Sequence, residues 1–506
     1  MSSTPPTKEE LGSFRTKVAY GFGSVAYGVK DAGFGTLLLF YYNQVIGLPV
    51  TMVGTALFII LFIDAFADPI IGQISDNFRS RLGRRHPFMY AAAVPVAIAY
   101  YFLWVPPHWS HQALFVYLIV VAIIVRTFIT MYEIPSSALV PEMSDDYDQR
   151  TSFLSYRYFF GVMGGVFVSF TTLFFILRPD ALHKVGQLNP AGYPVYAVFA
   201  AVIMVISILV STRGTQRFIP LFRQPTERRP TLGQILKEMG ESVTHKPFVI
   251  LVAAAVFGTI AIGLGAALLI YFNTYFWGLS ARQMSAFSFA GIFSATIAPL
   301  IAGPLGKRFG KNRAVLMFYG IFIVVAATPI SLRLLGLFPS NGSPILLPLL
   351  FLERSISAVL GISTLILFSS MMADVVDDAA IKTGRRSEGL FFAAMGFIAK
   401  ALSGAGNFFA TWILFFVGFP EHANPATINP EIVRHLALVY LPALVVLYGT
   451  GITILSRYKI TRSQHEANLR QLAEAAGSGA PAVAAAAIDK QVDFIASQAA
   501  SSGPAQ

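Results

Sequence analysis

The sequence predicts an all-α membrane protein of twelve transmembrane helices in two pseudo-symmetric six-helix halves. Three observations lead there. Of 506 residues, 55% are hydrophobic and only 12% are charged, half the share of about 25% in an ordinary globular chain. Several apolar stretches reach the roughly 18 residues that cross a bilayer. Lys and Arg crowd alternate loops, as the positive-inside rule requires.

The candidate spans run near 18–47, 51–73, 87–105, 112–140, 152–177, 194–212, 247–277, 282–304, 313–335, 345–376, 388–418 and 432–456. Several exceed the roughly 20 residues of a straight crossing, so tilt or projecting ends are expected. Loops after spans two, six, eight and ten carry Arg79, Arg81, Arg84 and Arg85; Arg213 to Lys246; Lys307 to Arg313; and Lys382, Arg385 and Arg386. The opposite loops are nearly bare of Lys and Arg. Both termini are therefore expected in the cytoplasm of a multi-pass protein of a cell membrane, the inner membrane of a bacterium. The polar start, MSSTPPTKEELGSFRTK, lacks the apolar core of a signal peptide, so it is expected to be retained. The net charge of +11 sits in these loops, so it reports topology and no nucleic-acid partner. The absence of cysteine excludes disulfides, thiolate metal sites and cysteine nucleophiles. A monomer is expected.

A weak internal repeat divides the chain. Pro69-Ile-Ile-Gly72 before a basic turn resembles Pro299-Leu-Ile-Ala-Gly303 before Lys307–Arg313, and Ala138–Arg150 resembles Ala373–Arg386 at nearly the same offset. The expected organisation is a cytoplasmic segment 1–17, a first half 18–212, a central loop 213–246, a second half 247–457, and a tail 458–506. The tail turns Ala/Gly/Ser-rich and reads as largely disordered. Parallel halves of this kind build the major facilitator fold, which holds its solute between them at mid-membrane.

Charges inside the spans carry the functional reading, since each costs roughly 2.5–3.5 kcal/mol at the centre of a helix in lipid. Asp64 and Asp68, four apart in span two, share one helix face. Two carboxylates there call for a cation or for Lys400 of span eleven, so an ion-coupling role is expected. Span one holds Lys30 and Asp31. Span four holds Arg126 and Glu133, seven apart and on one face, with Thr130 between them, and Arg157 lies two turns into span five. These polar groups are expected to line a cavity. Glu353 and Arg354, at the outer end of span ten, read as snorkelling or paired structural groups. Gly161, Gly164 and Gly165 read as a site of close helix approach. Asp76, Arg79, Arg84 and Arg85, with Lys307, Arg313, Asp374 and Asp377, read as cytoplasmic gating latches. No phosphate-binding loop, dinucleotide fingerprint, HExxH or catalytic triad is present, so neither an enzyme nor a cofactor is expected.

Two long motifs bring a family into view. DPIIGQISDNFRSRLGRRHPF, from Asp68, and ADVVDDAAIKTGRRSEGLFFA, from Ala373, resemble the signatures of the glycoside–pentoside–hexuronide:cation symporters, the melibiose permease family of the major facilitator superfamily. YGFGSVAYGVKD, from Tyr20, is similar to that family's first helix. The resemblance implies cation-coupled symport of a sugar or glycoside, with H+ or Na+ as coupling ion and no other cofactor. It implies a cation site at Asp64, Asp68, Asp31, Glu133 and Lys400, with Asp64 and Asp68 as metal ligands if the ion is Na+. It implies a sugar site at Asp31, Glu133 and Arg157, with Lys30, Thr130 and Arg126 beside them. Three positions depart from the pattern: Glu133 replaces an aspartate, Ser137 a tryptophan platform, and Ala67 a polar amide, which sets H+ beside Na+. Related sequences of similar layout move amphipathic lipids, so a lysophospholipid carrier is the alternative. A non-transporting receptor is a third reading, which the cost of burying Asp64 and Lys400 opposes.

Overall fold

The computed structural model describes residues 6–144, 146–222, 245–383, 388–460, 464, 465, 467 and 468. The side chains of Tyr147, Ala380, 382–383, 388–394, 396, 397, 399–401 and 403 lie outside the description. Among the described residues every regular element is helical. After a single helical turn at Lys8–Leu11, the chain runs through α1 (Phe14–Phe22), α2 (Val25–Ala32), α3 (Val50–Asn77), α4 (His86–Trp104), α5 (His111–Ser137), α6 (Tyr147–Thr171) and α7 (Gly192–Gln216). It resumes with α8 (Lys246–Tyr271), α9 (Ala290–Phe309), α10 (Lys311–Leu334), α11 (Leu346–Thr383), α12 (Glu388–Phe416) and α13 (Pro430–Leu455). Among the described residues ten helices are long and apolar enough to cross a membrane. The eleventh predicted span is α12, in which Gly404–Phe416 forms a shorter apolar stretch.

The first predicted span departs from expectation. It is a succession of α1, α2 and two π-helical turns, Gly33–Leu37 and Tyr41–Val45, flanking a short α-helical segment. Glycines at 21, 23, 28, 33 and 35 weaken a continuous α-helix, and π-turns of this kind gather at functional sites.

The expected close approach along α6 is present, and its partner is α2. A β-carbon on Gly28 would stand 2.1 Å from the Gly161 carbonyl oxygen, and one on Gly164 would stand 2.8 Å from the Val25 Cα. The two backbones touch, which only residues without side chains permit.

The bundle has two distinct ends. At the end away from the basic loops, contacts join the two predicted halves. The Tyr271 hydroxyl donates to Asn43 Oδ1 at 2.8 Å and the Tyr275 hydroxyl to Gln44 Oε1 at 2.7 Å. Gln44 also bonds the Pro420 carbonyl and the Ala423 N–H, both at 3.0 Å, and Gln187 Nε2 donates to Thr274. Further in, α3 packs along α12, with Gly54 against Thr411 and the Phe58 and Phe408 rings 5.5 Å apart.

At the basic end, four of the residues read as latches, Asp76, Arg84, Arg85 and Asp374, are ion-paired, each within its own predicted half. Arg85 meets Asp76 at 3.1 Å and Glu142 at 2.7 Å, and Arg84 also reaches Glu142. Burial lowers the pKa of the Arg85 guanidinium, and the two carboxylates oppose that. Lys311 holds Asp374 at 2.7 Å, and His245 holds Asp378 at 2.9 Å. Asp377 is buried, whereas Arg79, Lys307 and Arg313 are exposed. Arg385 and Arg386 lie outside the described residues.

The glycine contact gives a direct test. Gly28→Val should lower the unfolding free energy of detergent-purified protein by about 1–3 kcal/mol, the usual range for overpacking. Gly320→Ala, at a helix position with open space, should leave it unchanged or slightly raised. Equal thermal midpoints for both variants would contradict the backbone contact.

Candidate functional site

A cavity of about 700 Å³ lies between the two predicted halves. One wall is built by α2, α5 and α6, which contribute Tyr27, Asp31, Glu133 and Arg157. The other is built by the end of α8, by the segment around Met284–Gly291, and by α11, which contributes Arg354. Helix geometry explains the first wall. The backbone contact at Gly28 and Gly161 brings α2 against α6, so residues one turn away on each helix face the same space.

The charges of this wall are paired. Lys30 Nζ lies 2.5 Å from Asp31 Oδ1 and 4.2 Å from the Tyr27 ring centroid. Lys30 is buried, while the Asp31 side chain stays half-exposed toward the cavity. Arg157 reaches Glu133 Oε1 at 3.3 Å through Nη2, and donates through Nη1 to Ser136 Oγ at 3.2 Å and to the Tyr20 hydroxyl at 3.5 Å. The Tyr20 hydroxyl donates in turn to the Ser136 carbonyl. A guanidinium fork with this many acceptors is fixed in direction. Glu133 is within electrostatic range of Lys30, Asp31 and Asp68 as well.

A second cluster lies between α3 and α5. Arg126 Nη2 donates to Asp64 Oδ2 at 2.5 Å, with both residues buried, and Thr130 Oγ1 donates to Asp68 Oδ1 at 3.1 Å. The Arg126 guanidinium also lies 5.4 Å from the Phe34 ring centroid.

The site residues expected from the sequence therefore divide between two places. Asp31, Glu133 and Arg157 line the cavity, as expected of them. Arg126 and Thr130, read as solute-binding, instead bond the two aspartates of α3, and Lys30 turns to Asp31. Arg126 and Glu133 do share a face of α5, but that face spans the junction between α3 and α6, so the two charges meet different helices. Lys400 belongs to α12, and its side chain lies outside the described residues. Among the described residues there is no group of three or more His, Cys, Asp or Glu that could hold a metal ion.

Arg354 corrects the sequence reading of span ten. It lines the cavity, its guanidinium lies 5.9 Å from the Phe287 ring centroid, and its Nε is buried without a hydrogen-bond partner among the described residues. Its neighbour Glu353 instead accepts a hydrogen bond from Ser357 at 2.8 Å. Depth counted from the helix end conceals this position, because the cavity reaches toward the end opposite the basic loops.

Substitution can weigh the forked contact. Arg157→Lys keeps the charge but cannot reach Glu133, Ser136 and Tyr20 together. It should weaken solute binding by about tenfold or more, read as the shift in half-saturation of a bound solute. Unchanged half-saturation would remove Arg157 from the site.

Comparison with known proteins agrees with this architecture. A family model described as MFS/sugar transport protein matches residues 19–462. A putative glycoside/cation symporter, YagG of Escherichia coli K12, is 25% identical over 94% of this chain and 99% of its own length. A sodium-dependent lysophosphatidylcholine symporter of Xenopus tropicalis is 23% identical over 92% of each chain. Among solved structures, the nucleoside transporter NupG superposes with a TM-score of 0.58 over 88% of this chain and all of its own, at 13% identity, which speaks for the fold alone.

Proposed function

Since the chain belongs to the MFS/sugar transport protein family and is a symporter-type membrane transporter, we propose that it carries a sugar or glycoside together with H+ or Na+ by alternating access. The observation that carries this reading is the cavity that sets Asp31, Glu133 and Arg157 on one wall and Arg354 on the other. Carboxylates accept from sugar hydroxyls, and a guanidinium donates to ring and hydroxyl oxygens, both as charge-assisted bonds. Asp68 lies one turn from Asp64, and its charge is felt at Glu133. Acids so placed raise each other's affinity for a positive ion, an effect that Arg126 offsets at Asp64. Ion binding relieves their repulsion and favours the arrangement that accepts solute, and bound solute favours the ion by the same factor.

The halves 18–212 and 247–457 are the rocking bodies in this reading, with both termini on the cytoplasmic face of a bacterial inner membrane. The network around Asn43, Gln44, Tyr271 and Tyr275 closes the outward end, and the latches around Asp76, Arg85, Lys311 and Asp374 hold each half rigid at the inward end.

A second cargo, a lysolipid or other amphipathic solute, is favoured by the apolar strip of Val162, Val166, Leu173 and Leu269 along the same cavity. Thermal-shift screening of purified protein against sugars, glycosides and lysolipids, with and without Na+, separates the two. Stabilisation by a glycoside supports the first reading, and stabilisation by lysolipids alone replaces it.

The coupling role has its own measurement. Asp68→Asn should abolish gradient-driven accumulation in proteoliposomes while leaving solute exchange at a measurable fraction of wild type. Accumulation at the wild-type level would remove Asp68 from the coupling site.

A further inference from the structure

The ion site expected at Asp64 already holds a positive charge that the chain itself supplies. Arg126 Nη2 lies 2.5 Å from Asp64 Oδ2, and the two residues are 8% and 4% exposed. The guanidinium is tethered to α5 through its own side chain, so this charge does not travel with a solute. Its Nε is buried without a hydrogen-bond partner among the described residues. The guanidinium is thus held at this depth by a carboxylate and by the Phe34 face, and not by a full set of acceptors.

The surroundings are poorly suited to a metal ion. A hard cation takes several oxygen ligands, and the described residues gather no group of three or more acids or imidazoles for one. At Asp64 an alkali-metal ion would meet a like charge where it needs an oxygen, in a low-dielectric interior where that repulsion is strong. Asp68 follows one turn along α3, and beyond it Glu133 on α5 interacts with Asp68, with Lys30 and Asp31 at α2, and with Arg157 on α6. Lys400, on the neighbouring α12, has its side chain outside the described residues.

We propose that Arg126 is a tethered counter-cation that takes the place of an alkali-metal ion at Asp64 and so makes the transporter indifferent to Na+ there. The inference rests on the reading that solute moves with a cation. It deepens that reading by assigning the exclusion of Na+ to one residue.

The test uses the purified full-length protein and Na+ itself as probe. Thermal unfolding is followed at fixed pH and ionic strength in NaCl and in choline chloride. The wild-type midpoint should be the same in both salts, and Arg126→Lys should share that indifference. Arg126→Gln should unfold several degrees lower in choline chloride and regain most of the loss as NaCl is raised. The charge-neutral double variant Asp64→Asn/Arg126→Gln should show no Na+ response. The inference is overturned if folded Arg126→Gln ignores Na+. It is also overturned if Na+ stabilises the wild type and Asp64→Asn removes that stabilisation, an arm that does not require Arg126→Gln to fold.

Accumulation of radiolabelled methyl β-D-glucoside in proteoliposomes, under a pH gradient or a Na+ gradient, separates this inference from the cargo reading. Accumulation driven by Na+ in the wild type and lost in Asp64→Asn overturns the inference and leaves symport intact. No accumulation under either gradient counts against the sugar reading, while the unfolding measurements still decide the role of Arg126.

Discussion

A charge inside a membrane must meet an opposite charge, and this requirement organises the first half of the molecule. Asp64 meets Arg126, Glu133 meets Arg157, and Asp31 meets Lys30, all within 3.3 Å. Two of these pairs join different helices, α3 to α5 and α5 to α6, so charge compensation also fixes the rotation of α5 against both neighbours. Breaking a pair buried on both sides, as Asp64–Arg126 is, costs about 3–5 kcal/mol, more than most packing contacts. The exception is informative. Arg354 lines the cavity with a buried Nε that has no hydrogen-bond partner among the described residues, and it faces the paired wall from the opposite side.

Much of this was legible in the sequence, and the failures have physical causes. Span positions follow from the length of apolar runs, because lipid imposes that length. The glycines at 161, 164 and 165 announced a close approach, because the absence of a side chain can be read directly. Their partner Gly28 was not identified, since one helix does not reveal what lies against it. The π-turns of the first span were equally hidden, because hydrophobic periodicity does not register one extra residue per turn. Asp31, Glu133 and Arg157, read together from the sequence, all line the one cavity. Arg126 was assigned to the solute because sequence spacing gives the face a residue occupies, and not which neighbour that face meets.

The two ends of the bundle are built from different chemistry. Near the basic loops the contacts are ion pairs within a half: Arg85 with Asp76 and Glu142, and Lys311 with Asp374. At the other end they are neutral amide and phenol bonds between the halves, with Asn43, Gln44, Tyr271 and Tyr275 buried among aromatic rings. Ion pairs within each half and neutral bonds between the halves suit the alternating access proposed above.

That neutral junction has an electrical consequence. Moving one elementary charge across the whole membrane field involves about 2.3 kcal/mol per 100 mV. Parting an amide from a phenol moves no net charge through the field. In the proposed cycle, parting the bonds of Asn43 and Gln44 from Tyr271 and Tyr275 itself shifts no formal charge through the field, so charge movement belongs to the ion pairs deeper in the bundle and to His422, which sits on the Gln44 carbonyl.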